Sequence, residues 1–176
     1  KNIPVITSDS KKGAELVANR IIKSGCKNVL MFEGKTYVRH PFDERGSEVK
    51  RILKENGVSF VSAEIEWNSL SYEYYSHLVE KYLSLFDSVD AVFAGDLIAV
   101  SCIAVAEKKG IKIPEELKVI GYDGLDMAGF VNPALTTVKQ DIPKMAKCCV
   151  ETIMSLLDGN IDVEMKQVCD VELMEG

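Results

Sequence analysis

The sequence predicts an α/β fold built on a parallel sheet, and two observations carry that prediction. The first is the stretch Ala91 to Gly124, AVFAGDLIAVSCIAVAEKKGIKIPEELKVIGYDG, which reads as one complete strand, helix, strand unit. Such units build parallel sheets with right-handed crossovers. The second is that strand and helix alternate regularly before it, with no internal repeat and no low-complexity linker. Within the unit, the apolar run Ala91 to Ala94 stops at Gly95-Asp96, a strand end handing over to a helix that an Asp can cap. Leu97 to Ala106 is nearly all apolar, which suits a helix packed on more than one side, and Lys108, Lys109 and Gly110 supply the cations and glycine of a helix C-terminus. Pro114, Glu115 and Glu116 make a polar turn, and Lys118 to Tyr122 is a second strand ending at Asp123-Gly124. Ligands of open parallel sheets bind beyond the carboxyl ends of the strands. Asp96 and Asp123 stand at two such ends.

Taken in order, Ile3 to Thr7 is a short strand, and Ser8-Asp9-Ser10 offers caps for a helix whose Ala14, Val17, Ala18 and Ile21 keep the spacing of a buried stripe. Ser24-Gly25 ends it, and Asn28 to Phe32 is the next strand. Glu33 to His40 is a loop. Asp43 begins a helix that carries Val49, Ile52 and Leu53 inward until Asn56-Gly57 stops it. Phe60 to Ile65 is a third strand with Glu66-Trp67-Asn68 at its carboxyl end, and Leu70 to Phe86 is one long helix with the stripe Tyr75, Leu78, Val79, Tyr82 and Phe86. After Asp123, Leu125 to Val131 reads as a short helix that Pro133 blocks, and Leu135 to Val138 as a strand. Asp141 caps a further helix with Pro143 in its first turn, where a missing N–H costs nothing. Ile142, Met145, Ala146, Cys149, Ile153 and Leu156 form that helix's apolar stripe, Gly159 closes it, and Val168 to Leu173 alternates like an edge strand.

At 176 residues the chain makes one sizeable domain or one and a half small ones, and its 47% hydrophobic content is ordinary for a globular protein. No apolar run approaches a membrane span. A net charge of -6 argues against this chain holding nucleic acid by itself, because such binding rests on clustered cations. Cys26, Cys102, Cys148, Cys149 and Cys169 are odd in number and show no C-x-x-C spacing. They read as small core hydrophobes in a reducing compartment, in preference to a metal or redox role. His40 and His77 have no partner at metal or triad spacing and read as surface residues, so no metal and no cofactor is expected. The dinucleotide fingerprint, the nucleophile elbow and the P-loop are all missing, which argues against an enzyme.

Gly121 to Gly124 (GYDG) followed by Asn132 to Asp141 (NPALTTVKQD), after a strand ending in Asp and an apolar helix, resembles the ligand-binding core of the lactose-repressor and galactose-repressor family of bacterial transcription regulators. The opening IPVITSDSKKGAELVANRIIKSGCKNVLMFEG is similar to that family's strand, helix and strand leading into its second lobe. The resemblance implies an α/β, parallel-sheet, Rossmann-like lobe of a periplasmic-binding-protein-like fold, with most of the first lobe missing. It implies that residues 1–8 cross from the truncated first lobe, 9–137 form the C-terminal effector-binding lobe, 138–160 form a helix that would pack on the missing lobe, and 161–176 form a C-terminal strand. The chain opens without Met, and a DNA-reading helix-turn-helix would precede Lys1.

The resemblance also implies site residues. Arg45 falls where the family has an arginine reaching into the cleft, and a guanidinium can fork two hydrogen bonds to vicinal hydroxyls or a carboxylate. The alternative is a solvated arginine in Asp43-Glu44-Arg45. Asp123 matches the cleft aspartate, whose ionised carboxyl accepts sugar O–H donors, or is an ordinary strand-end turn residue. Trp67, in EWNSLS, offers an apolar plate to a sugar ring, or packs at the rim or in the core. Gln140 matches a glutamine near the crossing between lobes and either touches the effector or bonds within the protein. Further candidates are Pro41, Gly95 and Asp96. The family usually places Asn where this chain has Gly95, which removes a donor and an acceptor from the cleft. Asp96 reads as a helix cap in preference to a ligand contact.

The function implied is effector sensing, most simply of a sugar, with DNA affinity controlled allosterically in the cytoplasm. The alternative is a sugar-binding protein of a transport system. The apolar stripe from Ile142 to Leu156 leaves on the order of 10 kcal/mol of burial unclaimed without the first lobe. The expected outcome is a homodimer paired through this helix and the Ile3 to Thr7 strand, with helix exchange or folding back on its own lobe as alternatives.

Overall fold

A computed structural model describes residues 3–34, 44–65 and 71–176. Its elements follow the chain as β1 (Val5–Ser8), α1 (Ser10–Lys23), β2 (Asn28–Gly34), α2 (Arg45–Glu55), β3 (Ser59–Ile65), α3 (Tyr72–Tyr82), β4 (Ala91–Phe93), α4 (Asp96–Lys108), β5 (Lys118–Asp123), β6 (Thr136–Gln140), α5 (Ile142–Leu157), β7 (Lys166–Cys169) and β8 (Val171–Met174). The six-stranded main sheet has the order β3-β2-β4-β5-β6-β8, parallel throughout except that β8 runs antiparallel to β6. A second, two-stranded sheet pairs β1 with β7 in parallel, from Val5 opposite Lys166 to Ser8 opposite Cys169.

Strict alternation along buried strands divides the main core in two. Val29 and Met31 of β2 face the side covered by Ala14, Val17, Ala18 and Ile21 of α1 and Val49 and Leu53 of α2. Leu30 and Phe32 face the other side, with Val79 of α3 and Ala99, Cys102 and Val105 of α4. The chain steps outward from β2 to β3 and then returns to β4 on the other side of β2, so the winding reverses between β2 and β4. That reversal opens a crevice at the carboxyl ends of the strands.

The chain passes between the two sheets three times: at Ser8-Asp9 into α1, at Gln140-Asp141 into α5, and at Asp170 between β7 and β8. Backbone and side-chain hydrogen bonds fasten these crossings to one another. The Asp9 N–H donates to the Cys169 carbonyl at 2.8 Å, Lys12 Nζ donates to Asp170 Oδ1 at 2.6 Å, and the Ser8 hydroxyl donates to Gln140 Oε1.

Four expectations need correction. The long helix ends as α3 at Tyr82 and continues as a 3-10 segment, Leu83–Ser88, because Leu83, Phe86 and Val89 recur every third residue and three residues make one 3-10 turn. Leu125 to Val131 holds only the 3-10 turn Asp126–Gly129. Val168 to Leu173 is not one edge strand. It breaks at Asp170, a residue disfavoured in strands, whose Oδ1 accepts the Val171 N–H at 2.9 Å, so β7 serves the small sheet and β8 edges the main one. The fourth is the set of cysteines. Cys26, Cys102 and Cys169 are buried as expected, but Cys148 is half-buried and Cys149 exposed.

Helix α5 follows the expectation, with Asp141 as its N-cap, its Oδ1 accepting the Lys144 N–H at 3.0 Å. The helix folds back on β1 and β7 through Met145, Cys148, Thr152 and Ser155. Of its apolar stripe Met145 turns to the small sheet, while Ile142, Ile153 and Leu156 stay in solvent at 54%, 56% and 41% exposure. The start of the helix expected at Asp43 and the residue Leu70 lie outside the described residues.

Packing under β5 is tight. A Cβ on Gly121 would run into Asp96 Oδ1 and stand 2.8 Å from Leu135 Cδ2 and 3.0 Å from Thr137 Oγ1. Gly121→Ala should therefore cost roughly 1–3 kcal/mol, the expected range for overpacking a well-packed site. Urea unfolding followed by circular dichroism measures it.

Candidate functional site

The carboxyl ends of β2, β4, β5 and β6 converge on the turn Tyr122-Asp123-Gly124. Asp123 has φ 129°, a left-handed backbone conformation that costs a non-glycine residue about 1–3 kcal/mol. Gly124 follows at φ 72°, where a Cβ would fall 2.5 Å from Lys139 Cα. The turn is thus pressed against β6, and the aspartate takes the strained position instead of yielding it to glycine.

Asp123 Oδ1 is the meeting point of the site. It accepts Gln140 Nε2 at 2.9 Å and pairs with Arg45 Nη1 at 3.4 Å. The Arg45 and Asp123 side chains are 23% and 36% exposed, so both carry charge to a surface that solvent reaches. Arg45 is the first residue of α2, the positive end of the helix dipole and a poor place for a cation. Two contacts compensate: the Asp123 carboxylate, and the Tyr122 ring, over which the guanidinium carbon stands 4.5 Å from the centroid. Gln140 bonds within the protein at both ends of its amide, to Asp123 and to Ser8. Ser8 also reaches Met145 Sδ at 3.8 Å. A polar line therefore runs from the start of α2 to two of the three crossings.

Asp96 does not cap its own helix. It is fully buried, Gly95 is the N-cap residue of α4, and no side-chain bond caps that end. Its two oxygens instead accept the Thr137 hydroxyl at 2.6 Å and the Leu125 N–H at 2.7 Å, tying α4 to β6 and to the segment after Gly124. Gly95 lies beside the site, and a Cβ there would stand 3.4 Å from Asp123 Oδ2, so the glycine leaves room next to the carboxylate. Trp67 and Pro41 lie outside the described residues. Arg45, Asp123, Gln140 and Gly95 are brought together.

Ser8, Tyr122 and Gly13 are missing from the sequence reading. Gly13 was open to detection, because a glycine in the first turns of a helix is a local cost that asks for a reason. That reason is the Tyr122 ring, whose Cε2 and Cζ would lie 2.8 Å from a Cβ on Gly13. Among the described residues two shallow depressions lie away from this site, one bounded by Glu80, Asp87 and Lys109 and the other by Glu151, Asn160 and Gln167.

Residues 18–176 match the family described as "Periplasmic binding protein-like domain". The chain is 28% identical over 176 residues to the sucrose operon repressor of Streptococcus mutans, covering 99% of this chain and 53% of that protein. It is 36% identical over 132 residues to the HTH-type transcriptional regulator MalR of Clostridium butyricum, covering 72% of this chain and 38% of that protein. The chain thus spans about half the length of the curated relatives it matches. Among solved structures, the ribose operon repressor protein from Lactobacillus acidophilus superposes with a TM-score of 0.86 at 21% identity, over 99% of this chain and 64% of that one. The LacI transcriptional regulator from Alkaliphilus metalliredigens, complexed with D-xylulofuranose, does so with 0.86 at 21%, over 99% and 65%. At these identities the structural likeness is one of fold. The resemblance to the lactose-repressor and galactose-repressor family read from GYDG and NPALTTVKQD stands, and the proteins named here are repressors and transcriptional regulators.

Burial raises the Asp96 carboxyl above its ordinary value of 3.8, against the opposing pull of its bonds to Thr137 and the backbone. A raised carboxyl contributes most to stability below its unfolded-state value, and the contribution shrinks as pH rises through the folded-state value. Asp96→Asn preserves both contacts, since the amide oxygen can accept from Leu125 and the amide nitrogen donate to Thr137. The unfolding free energy of wild type minus that of Asp96→Asn should therefore fall as pH rises from the ordinary carboxylate value toward neutrality. Urea titrations across that range measure the difference, and a flat line overturns the assignment.

Proposed function

This chain belongs to the periplasmic binding protein-like domain family, and from that premise we propose that it is the effector-sensing part of a bacterial transcription regulator. The observation that supports this reading is the Arg45, Asp123, Gln140 and Ser8 line at the carboxyl ends of the strands. It joins a charged wall to the crossings between the sheets. Arg45 and Asp123 hold each other in place before any ligand arrives, and a pair arranged in advance spends less of its interaction on ordering.

The effector we propose is a sugar or sugar derivative. A fork of N–H donors beside a carboxylate suits adjacent hydroxyls, each of which both donates and accepts. Relatives named as repressors of sucrose and ribose operons agree with that class. Trp67 and Pro41 remain candidates for the apolar contact, and Gly95 leaves space for a group beside Asp123. In this reading residues 1–8 and 161–176 cross to a first lobe and 138–160 pack on it. The effector bridges the two lobes and favours one arrangement over the other. Linkage then requires that DNA affinity change by whatever differential contacts the two arrangements make. DNA contact belongs to a helix-turn-helix ahead of Lys1 in a longer protein, and the regulator works in the cytoplasm without a cofactor.

Two measurements test this. In the longer protein, Arg45→Ala and Asp123→Ala should each weaken sugar binding by roughly 2–4 kcal/mol, because each removes one partner of a charged hydrogen bond. Calorimetry with ribose, sucrose and cellobiose reads this, and affinity unchanged in both variants overturns the site. We further propose that in the isolated chain a second copy covers the exposed face of α5. Light scattering at micromolar concentration should give a dimer, and Ile153→Glu should return it to monomer.

A further inference from the structure

We propose that Cys148 and Cys169 form an oxidisable dithiol, a modification site at which a low-molecular-weight disulfide closes a bond between α5 and β7. The placement follows from register. Gln167 Nε2 donates to Thr152 Oγ1 at 3.0 Å, which pins one point of the helix to one point of the strand. Cys148 lies four residues before Thr152, about 6 Å back along the helix on the same face, and Cys169 lies two residues past Gln167, about 6.6 Å along the strand on the same face. The helix runs antiparallel to β7, since the next turn back brings Met145 to Ser8, the residue paired with Cys169 across the small sheet. The two displacements therefore match, and they place the thiols opposite each other. Beyond Cys148 the side chains α5 turns to this sheet are small, Thr152 and Ser155, with Met145 one turn before it, and the Cys148 and Cys169 thiols lie within hydrogen-bonding reach of each other, near the short span a disulfide requires.

The two sulfurs differ in access. Cys148 is half-buried and Cys169 is buried. Burial is the largest influence raising the Cys169 thiol, and the neighbouring Cys148 thiol raises it further. Cys148 is thus the attacking group and Cys169 the resolving one. The Cys148 thiol gives its proton to water, and its sulfur attacks one sulfur of the reagent. The reagent's S–S bond breaks, and one thiol leaves with a proton. Cys169 then loses its proton, attacks the Cys148 sulfur of the mixed disulfide and expels the second thiol. Two protein thiols are oxidised by two electrons, and one reagent disulfide is reduced to two thiols. The site shares no residue with the Arg45 and Asp123 wall, so it stands or falls apart from the proposed function.

Oxidised glutathione is the probe, used on the native chain with intact mass and non-reduced peptide mapping as readouts. The expected product is lighter than the reduced chain by two hydrogens, with the Cys148 and Cys169 peptides linked. It should form in Cys149→Ser as in wild type and fail to form in Cys148→Ser. Cys149 is exposed and one residue away, so it reports ordinary thiol reactivity. The native pair should close at least tenfold faster than Cys149 accumulates adduct. A lasting glutathione adduct on Cys148, a link from Cys148 to Cys149 or to a second chain, or closure that needs urea would each overturn the proposal.

Discussion

The site depends on a carboxylate that solvent does not reach. Asp96 starts α4, yet its side chain works outside that helix, holding the Thr137 hydroxyl on β6 and the Leu125 N–H beyond Gly124. Those two bonds bracket the turn that presents Asp123. They also explain Gly121, which leaves the space that the Asp96 oxygen and Thr137 occupy. A charged group so buried is costly without partners, and here its bonds are made with a helix start, a strand and a turn at once. The exposed carboxylate at Asp123 is positioned by the hidden one at Asp96.

Local rules are broken most plainly around the same turn. Arg45 puts a cation where the helix dipole repels it, and Asp123 takes a backbone angle that suits glycine. Each departure is held by a neighbour: the ring of Tyr122 beneath Arg45, and the Gln140 amide against Asp123. Tyr122 in turn needs Gly13 in α1 to give it room. The four residues of GYDG are therefore four different solutions to one crowding problem.

The main sheet was legible because its strands are short apolar runs between capped helices, and periodicity reads such elements well. The stripe of α1 and the Asp141 cap of α5 needed nothing from distant residues. The failures came where a distant partner decides. Nothing local says that Asp170 divides two strands between two sheets, since that depends on where β1 and β6 lie. Asp96 sits in a capping position by sequence, and only the fold brings Thr137 and Leu125 within its reach. Arg45, Asp123 and Gln140 were identified through motif resemblance, and their mutual bonding could not be read without register. Ser8 escaped because a serine between a strand and a helix looks like a cap, whereas its hydroxyl turns to Gln140.

The backbone angle at Asp123 has a genetic consequence. Aspartate and glycine codons differ by one nucleotide, and glycine is the residue that this φ of 129° would accept without strain. An allele carrying that change would relieve the backbone strain while losing the carboxylate that holds Arg45 and Gln140, so the two effects on stability oppose each other. A defect at this position would therefore show more in response than in abundance.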